Sequence, residues 1–138
     1  MDATATLREV KAIRTALLIE DNADVAYLLR YMLQRDGFAV NTQTNGRDAQ
    51  RYIAESPPPD IVLLDLMLPY IDGFELLARI RESRTWRDVP VIVVSGKVTE
   101  RDIVRAIELG ANDYVTKPYK PLELSARIAR WTRRNDDD

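Results

Sequence analysis

Five short apolar runs recur along this chain, and each is followed by a segment whose apolar residues fall at helical spacing. The runs are "TALLIE" (Thr15 to Glu20), "FAVNTQ" (Phe38 to Gln43), "DIVLLDLML" (Asp60 to Leu68), "VPVIVVSG" (Val89 to Gly96) and "NDYVTK" (Asn112 to Lys117). Between and after them lie "ADVAYLLRYMLQRDG", with Val25, Leu28, Leu29, Met32 and Leu33 at helical spacing, and "GRDAQRYIAES", with Ala49, Tyr52 and Ile53 on one face. "DGFELLARIRES" stacks Leu76, Leu77 and Ile80; "ERDIVRAIELG" stacks Ile103, Ala106 and Ile107; "PLELSARIARW" aligns Leu124, Ile128 and Trp131. The glycines and prolines fall between these segments or at their edges, with Gly37 and Gly110 as helix stops and Pro121 in a first helical turn. Continuous apolar strands alternating with amphipathic helices predict a five-stranded parallel sheet covered on both faces. Helices reach both faces only if the strand order reverses, and such doubly wound sheets place their crevice beyond the carboxyl ends of the strands.

That geometry gives a role to an acid in an odd place. Asp65 interrupts the most apolar run, yet it comes near the carboxyl end of its strand. Glu20 and Asp21 close the first strand, Ser95 the fourth and Lys117 the fifth. In a parallel sheet all of these meet at one edge. Two carboxylates about 4 Å apart repel by about 1 kcal/mol in water and about 4 kcal/mol at an effective dielectric of 20. Mg²⁺ suits such a cluster, since it takes hard oxygen ligands together with retained water and phosphate. An aspartate beside a metal and a lysine is a known kind of phosphoryl acceptor.

Composition removes the competing chemistries. The 138 residues include no histidine and no cysteine, which excludes Ser-His triads, imidazole bases, disulfides and thiolate metal sites. The length is that of about one domain. The net charge of −2 argues against direct nucleic-acid binding by this chain. No run approaches a membrane span, and the N-terminus, with Leu7, Val10 and Ile13 scattered among charges, lacks a signal-peptide pattern, so a cytoplasmic location with no membrane contact is expected.

Four motifs, "LLIEDN", "IVLLDLMLPYIDGFELL", "VIVVSG" and "ELGANDYVTKPYKPLEL", together resemble the receiver domain of two-component response regulators, the CheY-like superfamily. The resemblance runs from about Thr15 to Trp131. It implies a flavodoxin-like fold of strand order 2-1-3-4-5 with five helices, and a domain over residues 15–134 between an N-terminal extension (1–14) and an acidic tail (135–138). No output domain is expected after residue 138. The resemblance implies phosphorylation at Asp65, with the group taken from a histidine kinase or a histidine phosphotransfer protein. It implies Mg²⁺ (or Mn²⁺) held by Asp21, Asp65 and the backbone carbonyl of Met67, with Glu20 acting through water. Lys117 and Ser95 are then the groups that stabilise the phosphoryl oxygens, Ser95 and Tyr114 the switch pair, and Lys117–Pro118 a candidate cis peptide. Such a domain is no enzyme beyond its own phosphorylation and dephosphorylation, and it signals through the face made by the fourth helix, fifth strand and fifth helix. Met67 and Lys97, two residues beyond Asp65 and Ser95, flank the attacking water in the family, and a bulky Met67 implies a long-lived acyl phosphate.

Other readings stand beside this one. Arg127, Arg130, Arg133 and Arg134 make the last helix basic, which reads as a solvated face. "ELSARIARWTRR" also resembles the last receiver helix of the winged-helix transcription-factor subclass, implying a homodimer contact with Asp113, Arg101, Arg105 and Glu108 as counterparts. A receiver-like interaction domain regulated without phosphorylation is an alternative function. An aspartyl-phosphate phosphohydrolase would want a second acid where Met67 stands. A flavin-binding module would want a Ser/Thr/Gly-rich loop where "EDNADV" stands.

Overall fold

A computed structural model describes residues 13–132 of the chain. Five strands, β1 (Arg14–Ile19), β2 (Phe38–Gln43), β3 (Ile61–Leu64), β4 (Val91–Ser95) and β5 (Asp113–Thr116), alternate with five helices, α1 (Ala23–Arg35), α2 (Gly46–Glu55), α3 (Gly73–Glu82), α4 (Glu100–Glu108) and α5 (Pro121–Thr132). All four strand pairings are parallel and the spatial order is β2-β1-β3-β4-β5. The order reverses between β1 and β3, as a sheet covered on both faces requires.

The period of two along each strand divides the interior into two cores. Ala16 and Leu18, Ile61 and Leu63, and Ile92 and Val94 face α1 and α5, where Leu29, Leu33, Leu124 and Ile128 pack on them. Leu17 and Ile19, Val62 and Leu64, and Val91 face α2 and α3, against Ile53, Leu76, Leu77 and Ile80. All four residues of β3 are fully buried. Each such side chain contributes about 1.5–3 kcal/mol of apolar burial, so the central strand anchors the sheet that presents the crevice. Trp86 fills the second core and donates its Nε1–H to the Ser56 carbonyl at 3.1 Å.

Some elements differ from the sequence reading. β3 ends at Leu64, short of the run that continues to Leu68, because the chain turns away after Asp65 toward Pro69. Arg14, counted with the N-terminal extension, is the first residue of β1 and pairs with Phe38. Leu28 and Ile107, assigned to core faces, are 56% and 54% exposed. α4 buries only Ala106 against the sheet, so it rests on a narrow contact and Ile107 faces outward. The readings of residues 1–12, of Arg133 and Arg134, and of the acidic tail at 135–138 lie outside the described residues.

α4 is held at its C-terminal end by a long side chain from α3. Arg81 donates to the carbonyls of Gly110, Arg87 and Val89 and to Asn112 Oδ1, at 2.7–3.0 Å. Burial pushes the Arg81 guanidinium below its ordinary value, partly opposed by the charge of Asp88. Gly110 takes a φ of +108°, and a Cβ there would lie 2.8 Å from Arg81 Nε, so both backbone and space require glycine.

Candidate functional site

The carboxyl ends of β1, β3, β4 and β5 bring the predicted residues together. Three of them are delivered by a backbone bond to the neighbouring strand. Glu20 N–H donates to the Gln43 carbonyl at 3.0 Å, Asp65 N–H to the Ile19 carbonyl at 3.0 Å, and Lys117 N–H to the Ser95 carbonyl at 2.9 Å. The sheet register thus carries through to the first residues beyond it. The Lys117–Pro118 peptide is cis.

Carboxylate oxygens of Glu20, Asp21 and Asp65 lie within 4.8 Å of one another. Glu20 and Asp65 are buried at 1% and 5% exposure, while Asp21 is exposed. Asn22 rather than either acid caps α1, accepting from Val25 N–H at 3.0 Å, which leaves Glu20 and Asp21 free to face the crevice. Lys117 spans the cluster. Its Nζ donates to Glu20 Oε1 at 2.6 Å and to Asp65 Oδ2 at 3.1 Å. Asn22 N–H bonds Glu20 Oε2 at 3.1 Å, and Met67 N–H bonds Asp65 Oδ1 at 3.1 Å.

The electrostatics follow from that packing. Burial raises Glu20 above the ordinary carboxylate value, against the lowering effect of the Lys117 bond and the Asn22 N–H. Burial by itself would lower Lys117, but the bonds and charges of Glu20 and Asp65 outweigh it and hold the ammonium above its ordinary value. Lys117 therefore stays charged at neutral pH. The cluster offers hard oxygen donors at spacings a single small cation can bridge, so the residues present fit Mg²⁺ or Mn²⁺.

Ser95 and Tyr114 both bond the main chain of one residue, Lys97. Ser95 is fully buried, and its Oγ accepts from Lys97 N–H at 3.3 Å. Tyr114, half-buried, donates its hydroxyl to the Lys97 carbonyl at 2.6 Å. Burial pushes the Tyr114 hydroxyl up, so it remains a donor across the physiological range. Lys97 Nζ lies 4.0 Å from Asp102 in the first turn of α4. Met67 stands 56% exposed at the rim.

A family model for the response regulator receiver domain matches residues 16–129. The chain belongs to the response-regulator receiver family. This receiver is 38% identical over 120 residues to the alkaline phosphatase synthesis transcriptional regulatory protein PhoP of Bacillus subtilis, covering 87% of the chain and 49% of that protein. It is 40% identical over 118 residues to the regulatory protein VanRc of Enterococcus gallinarum, covering 86% of the chain and 49% of that protein. The receiver thus spans about half the length of the curated relatives it matches. Among solved structures it is similar to the receiver domain of the sensor histidine kinase PA1611 from Pseudomonas aeruginosa PAO1, with a TM-score of 0.80 and 31% identity over 88% of this chain and 98% of that one. That structure has a magnesium ion coordinated in its active-site cleft.

Sequence reasoning missed the surface beside Lys117. A groove of about 660 Å³ runs between α1 and the start of α5, lined by Val25, Leu28, Tyr31, Met32, Pro118 and Tyr119 among others. Of these, Tyr31 is 62% exposed. The signal was present in α1, which carries a second apolar stripe at Tyr27, Leu28 and Tyr31 beside its core stripe. The basic end of α5 also looks different in the fold: Arg127 pairs with Asp113 at 3.0 Å and with Glu123 at 3.0 Å inside the chain. No helix among the described residues is long and apolar enough to cross a membrane.

Proposed function

We propose that this receiver takes a phosphoryl group onto Asp65 from the phosphohistidine of a histidine kinase or a histidine phosphotransfer protein, in the cytoplasm. The observation that carries the reading is Lys117 Nζ bonded at once to Glu20 and Asp65, beside Asp21. One Asp65 oxygen attacks the phosphorus as the bond to the donor imidazole breaks. Asp65 has one oxygen on Lys117 and the other on the Met67 N–H, which fixes the plane of the carboxylate before attack. Asp21, Asp65 and the Met67 carbonyl would hold Mg²⁺, with Glu20 acting through water. Bound there, Mg²⁺ supplies positive charge against the phosphoryl oxygens. Lys117 keeps a second positive charge in place, so little reorganisation is needed as charge develops.

The product carries about −1.5 to −2 charge and three acceptor oxygens. Ser95 can turn its hydroxyl hydrogen toward one of them. Because Ser95 Oγ bonds the Lys97 N–H and Tyr114 Oη the Lys97 carbonyl, a shift of Ser95 that moves Lys97 reaches Tyr114 and the start of α4. The α4-β5-α5 face then changes population between two packings. The apolar groove beside Lys117, with the exposed Tyr31 in its lining, suits a partner helix that brings its phosphohistidine to the crevice.

Intact mass after incubation with acetyl phosphate tests this, with and without Mg²⁺, for wild type and Asp65→Asn. Mg²⁺-dependent gain of one phosphoryl group in wild type alone is expected. Equal gain in folded Asp65→Asn, or none in wild type, overturns it; the second result would favour an interaction domain regulated without phosphorylation.

A further inference from the structure

Tyr70 is the sole non-glycine residue with positive φ among the described residues, at +72°. The Ile71 N–H bonds back to the Pro69 carbonyl at 3.0 Å, which makes Tyr70 the centre of a γ-turn of the rare, strained hand. A bulky aromatic is poorly suited to that conformation, and glycine would relieve it. Burial does not offset the strain, because the ring is 71% exposed. What the ring does have is Arg47, from the first turn of α2, whose guanidinium carbon sits 4.3 Å from the ring centroid.

The same turn is docked through its main chain. Gly46 N–H, also in the first turn of α2, donates to the Pro69 carbonyl at 3.1 Å. A Cβ on Gly46 would fall 1.8 Å from the Ile71 carbonyl oxygen, so α2 touches the turn backbone directly. At the other end Gly73 N–H donates to the Leu66 carbonyl at 3.0 Å, and a Cβ there would lie 2.5 Å from the Asp65 carbonyl oxygen. The segment between is therefore clamped at both ends, and Met67 lies within it, with its N–H on Asp65 Oδ1.

We propose that Tyr70 and Arg47 are positioning residues for the divalent cation: the strained turn, pinned by the stacked pair, holds the Met67 carbonyl in place for the metal. The inference rests on the cation-assisted reading of the site given above. Strain of this kind persists where surrounding structure over-determines it, and here the cost to stability sits five residues from Asp65 on the segment that supplies a metal ligand.

Calorimetric titration of the unphosphorylated chain with MgCl₂, paired with thermal unfolding without metal, tests the proposal. Arg47→Ala removes the stacking and should weaken Mg²⁺ binding roughly two- to fivefold, the equivalent of an exposed cation–π contact. Tyr70→Gly should raise the unfolding temperature while weakening Mg²⁺ binding by at least as much, because relief of strain and loss of positioning act in opposite directions. Tyr70→Phe keeps the ring and should match wild type. A purely structural role would move stability and affinity together. Mg²⁺ affinity unchanged in both Arg47→Ala and Tyr70→Gly overturns this proposal alone; a wild-type chain that binds no Mg²⁺ overturns it together with the metal-assisted reading.

Discussion

Lys117 Nζ lies 2.6 Å from Glu20 Oε1, joining residues 97 positions apart at the mouth of a parallel sheet. The contact sets a buried carboxylate against a cation placed to neutralise it, and it links the end of the first strand to the end of the last. Most of what can be measured about the site without a partner depends on it.

Lys117→Met should therefore destabilise the fold as well as the chemistry. Removing one partner leaves Glu20 and Asp65 buried and facing each other. The cost in metal-free buffer should be about 2 kcal/mol, below the range for fully buried pairs because the Lys117 side chain keeps 23% exposure. Urea denaturation measures it, and added Mg²⁺ should recover part of the loss. A variant as stable as wild type would show that the ammonium does not offset the acids.

Glu20 predicts a pH dependence whose sign can be worked out. Burial raises its folded pKa above the ordinary 4.5. Its contribution to stability is then fully present below pH 4.5 and is lost as pH rises through the raised folded value. Without metal, wild type should lose stability relative to Glu20→Gln across that window. Parallel pH profiles for the two proteins would contradict the burial argument.

Arg81 should matter to folding and little to phosphoryl transfer. Arg81→Met strands the Gly110 and Val89 carbonyls and releases the C-terminal end of α4. We expect a loss of about 2–4 kcal/mol in stability, from several charge-assisted bonds lost together. Hydrogen exchange should quicken in α4 and in the segment before β5 more than in β1 and β3. Uniform quickening throughout would mean that Arg81 supports the whole fold rather than one helix.

Met67 stands at the rim with its side chain largely exposed, two residues beyond Asp65. Truncation to alanine opens the approach for water to an acyl phosphate on Asp65. Faster decay of the phosphorylated chain, followed by mass spectrometry after removal of the donor, is expected for Met67→Ala. Equal lifetimes would remove the shielding role.

Arg127 decides what becomes of the homodimer reading. Within one chain it is already bonded to Asp113 and Glu123. A dimer across α4-β5-α5 would have to share or replace those bonds. If phosphorylation drives such a dimer, sedimentation should show a mass increase on phosphorylation that Arg127→Ala reduces. A mass independent of phosphorylation would leave this face to other partners.

The sequence by itself determined the alternation of strands and helices, the parallel sheet and the edge where Glu20, Asp21, Asp65, Ser95 and Lys117 would gather. Those follow from periodicity and from chain direction, which are local properties. The four motifs around those residues then named the family, which the comparisons bear out. Tertiary structure decided the rest. Leu28 and Ile107 have the right spacing for a core, yet only the docking angles of α1 and α4 show which apolar stripe meets the sheet. Tyr70 is an ordinary letter after proline; its positive φ, and the close approach of α2 and α3 to its turn at Gly46 and Gly73, exist only in the folded chain. Arg81 reads as a surface charge on an amphipathic helix, and only the folded chain brings the Gly110 carbonyl, 29 positions away, within its reach beside those of Arg87 and Val89. Side-chain spacing encodes which face a residue lies on, whereas the partner it finds there depends on how separate elements pack.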